Sequence, residues 1–136
     1  MTAGEFDIDP VQAGRYRTSG WWRDRTYLDD FDDAVAADPD KVAVVSHRHD
    51  GADPLVTLTF RQLHRLVDRF AAALAGLGVR PGQIVSVQLP NDWTFAALTL
   101  ACGRIGAVIN PLVPIFRDRE LQFILGRAES PVLVVP

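Results

Sequence analysis

A single cysteine, Cys102, and a single lysine, Lys41, are the scarcest reactive groups in these 136 residues. One cysteine excludes an internal disulfide framework and a multi-cysteine zinc site, since both need partners. Lys41 sits in a Pro-Asp-Lys turn, a poor place for a buried catalytic amine. A Gly-rich phosphate loop is also missing. The ten glycines form neither the G-x-x-x-x-G-K-[ST] nor the G-x-G-x-x-G spacing. Gly76-x-Gly78 follows a helical stretch rather than a strand, so it reads as a cap. There is no G-x-S-x-G nucleophile elbow. No apolar run nears the roughly 20 residues of a membrane span. Net basic charge is lacking too: the formal charge is −3, which disfavours a general nucleic-acid binder. The opening residues, MTAGEFDIDP, are acidic and have no apolar stretch. They do not read as a secretory signal, and the expected compartment is cytoplasmic.

What is present is an ordinary globular balance, 48% apolar and 23% charged. A chain of this size buries about two-thirds of its unfolded surface. Charge is uneven. Residues 1–50 carry eleven acidic and six basic side chains, a balance of −5; the remainder carries six and eight, a balance of +2. Asp29, Asp30, Asp32 and Asp33 read as the polar face of a first helix. Residues 1–26 show no periodicity and read as an extended N-terminal arm. Trp21 and Trp22 are expected to pin that arm onto the body, because paired exposed tryptophans are costly.

From residue 27 the pattern sharpens. Leu28, Phe31, Ala34 and Val35 share a helical face over 27–37, stopped by Asp38-Pro39-Asp40. Val42 to Ser46 and Leu55 to Thr59 are β-rich runs joined by a turn-rich connector, a hairpin. Thr59 and Gln62 make a capping box that opens a long helix. Its stripe runs through Phe60, Leu63, Val67, Phe70, Leu74 and Leu77, and Gly78 ends it. Strand and helix then alternate: a strand over 83–89, a nearly all-apolar helix over 92–105, a short strand over 107–109, a helix over 118–127 and a strand over 131–135. Short links between such units imply right-handed crossovers and a parallel sheet. The fold class is α/β, an N-terminal hairpin followed by β/α units. An apolar helix such as 92–105 expects protein on every side.

The polar candidates are few. His47 and His49 beside Asp50 fit a metal pair or a solvated hairpin tip, and no third ligand stands nearby at metal-like spacing. No metal site is assigned. His64 flanks the core stripe, and Cys102 reads as a packing thiol. Arg61, Arg65 and Arg69 recur every four residues as a solvated face or a docking surface. In open α/β sheets ligands bind beyond the carboxyl ends of the strands. Two loops lie there: Pro90-Asn91-Asp92, which caps the apolar helix, and Asn110 to Arg117. Leu112, Val113, Ile115 and Phe116 make the second loop an apolar channel or interface, and Arg117 suits an anionic group. No acid–base pair or nucleophile accompanies them.

Five stretches in order carry a family resemblance. They are Asp38-Pro39-Asp40-Lys41-Val42-Ala43; Leu58-Thr59-Phe60-Arg61-Gln62-Leu63; Gly76-Leu77-Gly78-Val79-Arg80-Pro81-Gly82; Leu89-Pro90-Asn91 before an Ala-rich helix; and Gly103-Arg104-Ile105-Gly106-Ala107-Val108 with Asn110-Pro111-Leu112, Glu120-Leu121 and the Ser130 strand. Over 27–136 the chain resembles the N-terminal part of the AMP-forming acyl-CoA synthetases, the adenylate-forming superfamily. The Trp-Trp-Arg-Asp arm and the Ile109–Arg117 stretch look most like cyclohexanecarboxylate-type and medium-chain or aryl CoA ligases. The resemblance implies an incomplete subdomain of the large N-terminal domain of that fold. It implies a ligase that joins a carboxylate to CoA with ATP and Mg2+, in the setting of fatty acid metabolism.

In that family the phosphate loop, the adenine and ribose motifs and the catalytic lysine lie downstream of this region. No catalytic residue is therefore transferred, and none of these cofactors is expected to bind this chain tightly. By position, Pro114, Ile115 and Arg117 are the implied contacts of the CoA tunnel. The implied partners are the remainder of a ligase chain, a carboxylic acid substrate and, as an option, a second copy in a homodimer. The rival readings are a non-catalytic interaction module, or a piece that completes a split ligase in trans, and a small nucleotide-binding α/β domain, against which the missing glycine loop argues. The length of 136 residues thus reads as the position of a cut ahead of the phosphate machinery.

Overall fold

The computed structural model describes residues 9–47 and 55–136. His49 and Asp50 of the hairpin tip lie outside them. Ten elements follow in order: α1 (Pro10–Thr18), α2 (Tyr27–Ala37), β1 (Val42–Ser46), β2 (Val56–Thr59), α3 (Phe60–Gly76), β3 (Ile84–Val87), α4 (Trp93–Arg104), β4 (Val108–Pro111), α5 (Asp118–Ala128) and β5 (Val132–Val134).

The expected extended arm over 1–26 is corrected at α1. Asp9 accepts the Val11 amide at 2.9 Å and Pro10 occupies the first turn, so a helix starts there without an apolar stripe to announce it. Trp21 and Trp22 do not pin the arm to the body. They gather on Tyr16 of α1, with ring centroids 5.5 and 5.2 Å away, and Trp21 stays 70% exposed. The Arg17 guanidinium lies 5.7 Å over the Trp22 ring. A local aromatic–cation cluster thus replaces burial in the core.

β1 and β2 form an antiparallel pair, and the Thr59–Gln62 capping box turns β2 into α3. Along α3, Leu63, Val67, Ala71 and Leu74 are buried at helical spacing, and Gly78 takes φ +91° just past the end. α4, capped by Asp92, lies against α3 in the most extensive helix–helix contact of the chain. Its Ala97, Leu98, Ala101 and Cys102 are buried; Phe95 and Leu100 are only half covered.

β4, β3 and β5 form a parallel sheet in that order, with β3 central. Pro111 ends β4 on a sheet edge, where its missing N–H costs no ladder bond. Val85 and Val87 point into the α3–α4 core with Val132 and Val134. Alternation sends Ile84, Ser86 and Gln88 to the opposite face. There a polar seam ties the strands together. Asn110 Nδ2 donates to Ser86 Oγ at 3.0 Å, and Ser130 Oγ accepts the Ser86 amide at 3.0 Å. The turn into β3 abuts the turn after α4. Gly82 donates its amide to Gly106 O at 2.8 Å, and a Cβ on Gly106, at φ +70°, would lie 3.2 Å from Pro81 Cβ.

One charged cluster joins α2, α3 and α4. Arg104 donates to both oxygens of Asp32 at 2.7 and 2.8 Å and lies 3.6 Å from Asp68. His64, stacked on Phe31, stands 3.2 Å from Asp68 and 3.8 Å from Asp32. The Arg104 hydrogen bonds hold the Asp32 carboxyl below its ordinary value of 3.8. The Thr26 backbone amide does the same for Asp29, and Arg61 for Asp40. Each depressed carboxylate contributes stability that is present above its unfolded value and lost as pH falls through its folded value. The thermal midpoint should therefore hold down to about 3.8 and drop below it. Arg104→Ala should flatten part of that drop in a melting series across the acid range.

Cys102 is fully buried, and desolvation pushes its thiol up to about 11. It should react with a thiol reagent at neutral pH only after denaturant is added. Rapid labelling of the folded chain would contradict this packing.

Candidate functional site

The carboxyl ends of β3 and β4 open onto a groove of about 420 Å³ lined by Leu89, Asn91, Phe95, Pro111, Leu112, Val113 and Pro114. Each wall has a local cause. Asp92 Oδ1 accepts the amides of Thr94 and Phe95 at 2.8 and 3.3 Å, which fixes the start of α4 beside Asn91. Ser46 Oγ accepts the Trp93 amide at 3.2 Å and ties that start to the hairpin. On the other wall, Leu112 donates its amide to Val87 O at 2.8 Å and prolongs the ladder past β4.

Of the three residues singled out from sequence, Pro114 lines the groove. Ile115 stands 74% exposed outside that lining. Arg117 is turned back on its own loop: Nη1 donates to Pro114 O at 3.1 Å and to Phe116 O at 3.2 Å. Its backbone amide meets Glu120 Oε2 at 3.1 Å at the start of α5. The structure therefore brings Pro114 and Asn91 together and leaves Ile115 and Arg117 on the rim.

Sequence reasoning missed Gln88. Its amide reaches under the 113–116 segment and donates to Phe116 O at 2.9 Å, with Val113 O at 3.2 Å. The available signal was a polar residue in phase with Ser86, directly after the strand and next to the strand-end loops.

The groove walls are mostly apolar, with Asn91 as the polar side chain among them. Among the described residues no group of His, Cys, Asp and Glu is placed to hold a metal ion. Lys41 is exposed on the turn before β1. Among the described residues, the donors around the groove do not fit a triphosphate and its magnesium ion. Arg61 pairs with Asp40, whereas Arg65 and Arg69 stand exposed on α3. No helix among the described residues is long and apolar enough to cross a membrane.

Comparison with known proteins agrees with this arrangement. The AMP-binding enzyme family matches residues 31–136. A salicylyl-CoA synthase / salicylate adenylyltransferase of Streptomyces sp is 39% identical over all of this chain and 24% of its own. The medium-chain fatty-acid–CoA ligase of Escherichia coli is 32% identical over 89% of this chain and 20% of its own. Among solved structures, apo MbtA of Mycobacterium smegmatis superposes with a TM-score of 0.78 at 36% identity, over 93% of this chain and 23% of that one. The chain thus spans about a quarter of the length of the relatives it matches, in their N-terminal portion. With its parallel sheet, its groove at the strand ends and its match over 31–136, the chain belongs to the AMP-binding enzyme family of acyl- and aryl-CoA ligases and adenylating enzymes.

Proposed function

We propose that this chain is the N-terminal part of an ATP-dependent acid–thiol ligase, that its groove borders the path of the CoA arm, and that it is inactive alone. In the whole reaction a carboxylate oxygen attacks the α-phosphorus of ATP and pyrophosphate leaves. The CoA thiol then attacks the acyl carbonyl, loses its proton and expels AMP. The observation that carries the reading is the apolar groove at the carboxyl ends of β3 and β4, in a chain that matches the family over 31–136. A pantetheine arm is thin and carries amides, which suits apolar walls with Asn91 at one side. Arg117 on the rim suits an anionic group of CoA. The relatives named for salicylate and medium-chain fatty acids support an aryl or medium-chain carboxylate as the acid. The cytoplasm is the proposed setting.

A chimera tests this. Residues 31–136 replace the matching part of the Streptomyces salicylyl-CoA synthase, and salicylate-dependent ATP–pyrophosphate exchange is measured. Exchange above background supports the reading; a folded chimera with none speaks against it.

One observation favours the rival reading, a docking module. Among the described residues the outer edge of β5 has no strand partner, and such an edge accepts a strand from another chain. A strictly monomeric chain that fails to complement the remainder of a ligase in trans would remove that reading.

A further inference from the structure

We propose that Gln88 is the positioning residue of the groove wall: it holds the 113–116 segment from beneath, so that Arg117 is not needed for the shape of the loop and is available to a ligand. Three backbone carbonyls converge on one side-chain nitrogen. Gln88 Nε2 lies 2.9 Å from Phe116 O, 3.2 Å from Val113 O and 3.5 Å from Pro114 O. Gln88 is only 9% exposed and follows directly on the central strand of the sheet, where its own amide donates to Val134 O at 2.9 Å. Its backbone is therefore held by the central strand and its β5 neighbour.

Arg117 meets two of the same carbonyls, Pro114 O and Phe116 O, from the solvent side. A carbonyl oxygen has two lone pairs and takes both donors. The two donors differ in what they lose on leaving. The exposed guanidinium finds water or an anion at once. Withdrawal of the Gln88 carbonyl partners leaves its own largely buried amide without acceptors, which is costly. The inner donor thus sets the loop and the outer one is exchangeable. That the wall faces a CoA arm rests on the ligase reading above; the geometry of the loop does not.

Hydrogen exchange on the full chain tests the loop by itself, so its failure is distinct from failure of the ligase reading. The Phe116 amide, bonded to Val113 O at 3.0 Å, reports the loop. The Leu112 amide, bonded to Val87 O, and the core of β3 report the sheet. Gln88→Leu keeps bulk without donors and should speed exchange at Phe116 about tenfold, with Leu112 changing less than about threefold. Gln88→Asn keeps the amide one methylene short and should open the loop as Leu does, which covers the case in which the Leu variant fails to fold. Gln88→Lys offers three N–H donors to three carbonyls and should restore protection to within about threefold of the parent chain. Arg117→Ala should leave Phe116 within about threefold as well.

Unchanged exchange at Phe116 in the Leu and Asn variants overturns the proposal. So does an equal rise at Leu112 and in β3, which would mean that Gln88 merely holds the sheet. An Arg117→Ala effect as large as that of Gln88→Leu, or a Lys variant as open as the Leu variant, overturns it too.

Discussion

A Val67→Asp chain should show no cooperative thermal transition. Val67 is fully buried at the centre of the α3 stripe, against the helix–sheet core that also holds Val85, Val87, Ala97 and Cys102. A carboxyl placed there either ionises without a partner or stays protonated. A pKa raised by three to five units costs about 4–7 kcal/mol. The net stability of a domain is about 5–15 kcal/mol in total. Loss of the valine contacts adds to that cost. The nearby cations do not rescue it. Arg104 is already bound to Asp32 and paired with Asp68, and Arg65 and Arg69 lie on the exposed face of α3. Circular dichroism during heating checks this. A sigmoidal melt near that of the parent chain would mean that α3 does not carry the core.

The second large effect concerns the rim of the groove. In the chimera described above, Arg117→Ala should raise the KM for CoA about tenfold to a hundredfold, the usual worth of a charge-assisted hydrogen bond to an anionic group. The comparison to make is between thioester formation and pyrophosphate exchange in the same protein. The ratio of the two should fall, because the first half-reaction involves no CoA. The geometry makes the change interpretable. Gln88 holds the loop from beneath while the guanidinium is shared with Pro114 O and Phe116 O. Equal losses in both half-reactions would place Arg117 in general folding rather than at the CoA path.

Much of the scaffold was legible in the residues. The spacing of Leu63, Val67, Ala71 and Leu74, with Thr59 and Gln62 ahead of them, places α3 and its buried face together. Alternation of strand and helix after Gly82 specifies a parallel sheet, because short links leave few other ways to close it. α1 was not legible, since its start rests on Asp9 and Pro10 alone and it lacks an apolar stripe. The placement of the tryptophans was not legible for a related reason. Burial of large rings is the common outcome, and only the chain path shows that Tyr16 is within reach. The Arg104–Asp32 pair spans 72 positions, and nothing local in the sequence couples them.

The site divides in the same way. The 110–117 loop followed from strand ends and composition, and Pro114 as a contact only from the family resemblance. Gln88 did not, because its importance lies in where three carbonyls converge. The apolar α4 carries a further message. Phe95 and Leu100 remain half covered, and Phe123 of α5 is 72% exposed. These surfaces fit a chain that spans about a fifth to a quarter of the length of these relatives.

On the reading proposed above, this chain carries a wall of a ligase site and none of its phosphate chemistry. The most direct test is ATP–pyrophosphate exchange by the chain alone, folded and cysteine-reduced, with salicylate and medium-chain acids in turn. Exchange should stay at background for every acid. Carboxylate-dependent exchange above background, by this chain without any other protein, would contradict it.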